Sequence, residues 1–382
     1  MSLFYSPASF ILNYNPISLG IYSASKAYNS LFNNNVKNII QNYNLFRKPN
    51  IDDIKKYELI ILDMDGVLRQ GTKKIGLSDV VIKKMNNLNI PYIILTNECR
   101  KDPKTIRHDL EMMNLKIKKN TNIISSSLLV KNKLIDLLTK SDRSKSIGII
   151  SNIDNYNYLK LKINKKVKNV KTYWINDDMI PLNLDYIVIG CLENDEKFDK
   201  NIFKSLQWID NNPNSEIIIS CSDIDSVENN NTYYLPVNIL KEIENRVNNK
   251  HSSINFNLIN NDLKLNTESR YKQYKIKNKQ IIIGKPYVDC MKDILKYYKV
   301  DIPNENNHIN NQKINNKGKV LVVGDNIHTD IKLGEKINCD TTLVMSGITS
   351  YETVEKLIQI PKYEKTINNI KYIIPDISYL TL

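Results

Sequence analysis

The stretch LIILDMDGVLRQG, Leu59 to Gly71, decides how this chain is read. Four apolar residues lead directly into two aspartates one residue apart, followed by Gly66. A short apolar run bounded by a turn signal reads as a buried strand. Such strands do not ordinarily end in paired carboxylates. Like charges that close repel, and burying either one is costly unless a cation compensates. The pair therefore calls for a chemical reason.

Working outward, short apolar runs recur with helical patterns between them, which predicts an α/β fold with a largely parallel sheet. After Glu58–Asp63, the segment from Ser78 predicts a helix with Ser78 as its N-cap and Val81, Met85 and Leu88 on one face. A second strand ends at Thr96, and Lys104–Asn114 reads as a helix. Ser146–Ser151, Asp185–Gly190 and Glu216–Cys221 read as strands of a second set, with a helix from Asn201. Residues 226–279 are richer in Asn and Lys and weaker in periodicity. The first set resumes at Gln280, continues through the strand Lys319–Asp325 and a helix opening at Thr329, and ends with Lys371–Ile377. One domain is thus expected to interrupt another. The expected boundaries are an extension over 1–56, a first core segment over 57–112, an insertion over 113–279 and a second core segment over 280–382.

The chain has 382 residues and a net charge of +13. That charge could mark a polyanionic partner. Heavy use of Lys, Asn, Ile and Tyr throughout explains it more simply, and no basic run is interleaved with aromatics as in a nucleic-acid-binding module. A nucleic-acid partner is therefore disfavoured. The five cysteines are scattered without a CxxC pair, which predicts free thiols in a reducing, cytoplasmic setting. No apolar run approaches membrane-spanning length. The first acid is Asp52, so residues 1–50 could serve as an organellar leader, but they are poor in Arg, and a plain extension is the preferred reading.

In parallel α/β sheets, ligands bind at the carboxyl ends of the strands. Four strand ends here carry complementary groups: Asp63-Met64-Asp65-Gly66, Thr96-Asn97, Gly284-Lys285-Pro286, and Gly324-Asp325 with Asp330 just beyond. That set suits phosphoryl transfer through a covalent aspartyl-phosphate. Asp63 would attack, and Asp65 would act as general acid and then as general base. A neighbouring like charge should favour the protonated form that Asp65 needs first. Mg²⁺ would be held by Asp63, Asp65 and Asp325, one of them through a backbone carbonyl. Lys285 would neutralise the phosphate. Thr96 and Asn97 would donate to it, and Gly66 would let the backbone turn so that its own N–H and that of Met64 face the phosphate. Asp330 would orient Lys285 or a metal-bound water from one layer further out.

DMDGVL, LTN, GKP and GDNIHTDI, in that order, resemble the four motifs of the haloacid dehalogenase (HAD) superfamily. The intervening block resembles its large C2-type cap, and DGVLRQG with the cap stretch around Asp185–Asp223 is similar to the class IIA branch. The resemblance implies a Rossmann-like parallel-sheet core with an inserted α/β cap. It also implies a Mg²⁺-dependent hydrolase for small phosphomonoesters, and it admits a homodimer through the cap. A mutase or phosphotransferase would share Asp63 and Asp65. A binding protein on an inherited fold would be expected to have lost a motif acid, and none is lost. The chain departs from the pattern at Ser220–Asp223, where relatives tend to show a TNPD-like phrase.

Overall fold

The computed structural model describes residues 46–140, 143–179, 181–224, 233–252, 275–300 and 316–380. Most of the expected N-terminal extension and much of the Asn-rich stretch over 226–279 lie outside these residues. In chain order the strands are β1 (Leu59–Leu62), β2 (Arg69–Gln70), β3 (Lys73–Lys74), β4 (Tyr92–Thr96) and β5 (Ile123–Ser125). They continue with β6 (Lys145–Ile150), β7 (Val170–Trp174), β8 (Tyr186–Ile189), β9 (Leu192–Glu193) and β10 (Glu216–Ile219). The last are β11 (Tyr233–Tyr234), β12 (Gln280–Ile282), β13 (Asn316–Gly324), β14 (Cys339–Val344) and β15 (Tyr372–Ile374).

The chain divides into two compact units. The first comprises the chain up to Thr96, Ile106–Ile123 and Lys292–Leu382; the second comprises Asn97–Thr105 and Ile124–Met291. The sheet of the first unit runs β15-β14-β13-β1-β4, with β5 at its edge. β1 lies between β13 and β4 and pairs in parallel with both, Leu62 opposite Val323 on one side and Ile94 on the other. All four residues of β1 are buried, as a strand covered on both faces requires. On one face Ile60, Leu62, Val81, Ile82 and Met85 share a core with Leu321 and Val323. A further cluster joins Ile327, Ile331 and Leu343 to Val354 and Ile367 of the C-terminal helices.

The sheet of the second unit runs β12-β10-β8-β6-β7, again parallel. Its core collects Ile187, Ile189, Ile217 and Ile219 around Trp208, which is fully buried on the helix Phe198–Asn211. Here the expected boundary at Gln280 differs from the structure. β12 pairs with β10, with Ile217 opposite Gln280, and the chain rejoins the first unit only at Lys292. Three apolar residues carry no mark of which sheet they will join, and β10 presents a matching parallel edge.

The helix expected from Ser78 is present as Ser78–Asn87, but its N-cap is Leu77, not Ser78. The Ser78 side chain is buried inside the helix and makes no capping bond, while the Leu77 N–H donates to Ser378 Oγ at 2.9 Å. The helix expected to open at Thr329 begins earlier, as a π-helical turn over Ile327–Ile331 followed by Lys332–Lys336.

Truncating Trp208 to Ala should open a large cavity in the second unit and cost about 3–5 kcal/mol. Urea unfolding followed by circular dichroism checks this, and a loss below about 1 kcal/mol would show that the core is not built around this ring.

Candidate active site

The first unit builds its site at the carboxyl ends of β1 and β13. The Asp63 N–H donates to the Val323 carbonyl at 2.9 Å, which ties the end of β1 to its neighbour just before Asp325. Asp325 follows β13 directly, and Asp330 projects from the π-helical turn. Carboxylate oxygens of Asp63, Asp325 and Asp330 all lie within 4.8 Å of one another. Asp325 and Asp330 are each only 1 % exposed. Backbone N–H groups hold both: Ile348 N–H donates to Asp325 Oδ2 at 2.6 Å, and Asn326 N–H donates to Asp330 Oδ2 at 3.1 Å. π-Turns are uncommon and tend to mark functional positions. This one carries Asp330, the third member of the carboxylate cluster.

Gly66 adopts φ +82°, and a Cβ there would fall 2.3 Å from Asp325 Oδ2. Any side chain would thus be both strained and in collision with the carboxylate. The Gly66 N–H donates to the Arg69 carbonyl at 2.8 Å and closes the turn. Its contribution is therefore the close approach, since its donor is already engaged. The Met64 N–H donates to Asp63 Oδ1 at 2.7 Å. Asp65 pairs with Arg69, whose Nε lies 2.8 Å from Oδ1 and whose side chain is 3 % exposed. Arg69 stands inside the stretch Leu59–Gly71, and its role as partner of Asp65 is a finding of the structure. Its spacing of four from Asp65 was the available signal. Thr96 closes β4, two residues past the one paired with Leu62, and is buried.

The second unit holds Asn97 and Lys285. Asn97 Oδ1 accepts from the Lys285 N–H at 2.8 Å, and Asn97 Nδ2 donates to the Lys285 carbonyl at 3.1 Å. The same Nδ2 donates to Asp223 Oδ1 at 3.0 Å. The Asn97 amide is thus committed to the Lys285 backbone, where the sequence analysis expected a phosphate donor. Cys99, two residues on, has its thiol 2.9 Å from that of Cys191. Hydrogen bonds from Cys191 and Cys221 pull the Cys99 thiol down to about 5, against the opposing effect of burial. Both partner thiols are pushed up, chiefly by the hydrogen bond to Cys99 and by burial. Arg100 pairs with Glu98 and lies 4.7 Å over the ring of Tyr233. His328 is exposed, with its ring edge-on to Tyr363.

Three convergent carboxylates are an electrostatic liability without a cation and a fitting donor set with one. Hard oxygen ligands suit Mg²⁺, and Asp63, Asp325 and Asp330 fit it.

Comparison with known proteins agrees with this architecture. The family model described as haloacid dehalogenase-like hydrolase matches residues 60–152, and the HAD-hydrolase-like model matches residues 282–373. A protein described as acid sugar phosphatase from Staphylococcus haemolyticus is 26% identical over 319 residues, covering 81% of this chain and 93% of its own length. A structure from Cytophaga hutchinsonii, described as a possible sugar phosphatase of the HAD superfamily, superposes with a TM-score of 0.60 at 19% identity. It covers 88% of this chain and 99% of its own. A 4-nitrophenylphosphatase from Thermotoga maritima gives a TM-score of 0.54 at 17% identity, covering 80% of this chain and 92% of its own. The chain is thus similar to the haloacid dehalogenase-like hydrolases in both of the segments that carry its motifs.

Gly66→Ala should displace the Asp325 carboxylate and weaken Mn²⁺ binding at least about tenfold, because one ligand leaves its place. Gly71→Ala is the control. Gly71 also has positive φ, but nothing lies within 4 Å of its Cβ position, so it should bind Mn²⁺ like the wild type. Calorimetric titration distinguishes the two, and equal affinities in both variants would refute the argument.

Proposed function

We propose that the protein is a Mg²⁺-dependent phosphatase for small phosphomonoesters, acting through a phosphorylated Asp63. The observation that carries this reading is the convergence of Asp63, Asp325 and Asp330 at adjacent strand ends, with Asp65 two residues beyond Asp63. Mg²⁺ bound there would offset the repulsion between an attacking carboxylate and a phosphate dianion.

In this reading Asp63, at the end of the central strand, is the nucleophile, with its backbone fixed by β13. Asp65 gives a proton to the leaving oxygen and then takes one from the hydrolytic water. Thr96 donates to the phosphate, and Lys285 supplies the cation for its oxygens. Asp330 keeps the carboxylate cluster in register through the Asn326 backbone. The descriptions of the relatives support the substrate class. Sugar phosphates come first on the panel to be tried, with 4-nitrophenyl phosphate as the reporter. The four free, buried cysteines among the described residues fit a reducing compartment, which supports a cytoplasmic location. No helix among the described residues is long and apolar enough to cross a membrane.

Purified protein should hydrolyse at least one member of a phosphomonoester panel in Mg²⁺ and lose that activity in excess chelator. Asp63→Asn should lower kcat by a factor of about 10⁴ or more, since the covalent route is removed. A panel hydrolysed no faster by wild type than by Asp63→Asn would end the proposal.

Arg69 adds a constraint. A guanidinium beside Asp65 favours its carboxylate form and so opposes the protonation that the first step requires. Removing the guanidinium lets Asp65 keep its proton to higher pH. Arg69→Gln should therefore move the alkaline limb of kcat/KM upward in pH. A limb that stays in place or moves down would show that Asp65 does not set it.

A further inference from the structure

The phosphatase reading asks Lys285 to present its ammonium to a phosphate with little freedom, and the second unit shows how its backbone is held. Gly284 precedes it with φ +84°, and a Cβ there would meet Asn97 Oδ1 at 2.4 Å and Ser126 Oγ at 2.8 Å. Only glycine lets the strand end run that close to Asn97. Asn97 then pairs with both the N–H and the carbonyl of Lys285, as a neighbouring strand would. The carbonyl accepts a second bond from Ser222 Oγ at 2.7 Å. With its N–H and C=O both fixed, the direction of the Lys285 Cα–Cβ bond is fixed as well. The residue is 2 % exposed.

The remaining element is Asp223. A primary amide can bind a peptide group in two orientations related by a flip, and only one matches oxygen to N–H and nitrogen to carbonyl. The Asp223 carboxylate accepts the second Nδ2 proton of Asn97, so it rewards the matching orientation and penalises the flipped one. Cys99 and Cys221, which flank these two loops in sequence, belong to one buried cluster with Cys191. That cluster packs the loop bearing Asn97 against the loop bearing Ser222 and Asp223.

We infer that Ser222 and Asp223 are positioning residues for Lys285, Asp223 acting through the Asn97 amide and Ser222 through the Lys285 carbonyl, so that they tune phosphate affinity without touching the substrate. This rests on the phosphatase reading for its consequence and on the geometry of the second unit for its cause. It also gives a role to the Ser220–Asp223 phrase, the part of the sequence that departs from the family pattern.

The test is steady-state kinetics with 4-nitrophenyl phosphate in Mg²⁺, with inorganic phosphate as competitive inhibitor. Asp223→Ala should raise both KM and the inhibition constant of phosphate about tenfold, the scale of a lost hydrogen bond to a charged group. Asp223→Asn, whose oxygen still accepts from Asn97, should restore both to within about twofold of wild type. In a Lys285→Ala background, Asp223→Ala should change neither value further, because the residue through which it acts is gone. A wild-type-like Asp223→Ala would overturn the inference. So would an Asp223→Asn as impaired as Asp223→Ala, or an undiminished effect in the Lys285→Ala background. Should Asp223→Ala fail to fold, Ser222→Ala carries the same comparison, with a rise of about threefold in wild type and none in Lys285→Ala. If the wild type turns over nothing, the phosphatase reading fails by itself. The thermal stabilisation given by inorganic phosphate then decides the positioning claim: its loss in Asp223→Ala supports it, and an equal shift in both proteins refutes it.

Discussion

The structure turns on the repulsion among Asp63, Asp325 and Asp330. Three carboxylates held within 4.8 Å, two of them almost wholly buried, resist being brought together, and the fold brings them together through its backbone. β1 sits between β13 and β4, so its end is bordered on both sides. Gly66 comes close enough to Asp325 to exclude any side chain, and backbone N–H groups of Ile348 and Asn326 partly offset the negative charge. What they leave is a demand for a cation. The chemistry proposed for the site follows from that demand, because the same cation lets a carboxylate approach a phosphate.

Much of this is legible in the sequence. The strands ending at Asp63, Thr96 and Asp325 read clearly, since a strand buried on both faces must be an uninterrupted apolar run and each of these stops abruptly at a polar group. The acids of the site were named from their positions at strand ends, and three of them meet in space. The helices Ser126–Thr139 and Ile153–Lys166 and the strand Val170–Trp174 were not read. The strand is only half-buried, Ser126–Thr139 opens its buried face on two serines, and Asn155 stands in the buried face of Ile153–Lys166, which blurs the helical period.

Other features depend on partners distant in sequence and could not be read locally. Ser78 looks like an N-cap but lies inside the helix, and the hydroxyl that meets the helix start is that of Ser378. Asn97 looks like a substrate donor until Lys285 is seen to occupy both ends of its amide. For Asn97 the hydrogen-bonding chemistry was the expected one and the partner was not. Membership of β12 in the second sheet is the same kind of fact. Hydrogen bonding between strands is a property of the partner as much as of the strand.

The proposed reaction draws on an acidic cluster at the ends of β1 and β13 and on a lysine whose backbone is locked by side chains. The central claim is that Asp63 becomes phosphorylated. Its most direct test is to quench the protein in acid during turnover of 4-nitrophenyl phosphate, reduce with borohydride, and map the peptides by mass spectrometry. The account predicts that Asp63 alone is converted to homoserine, and only in samples that received substrate. Reduction at another aspartate, or none at Asp63 in a preparation that is turning over substrate, would contradict it.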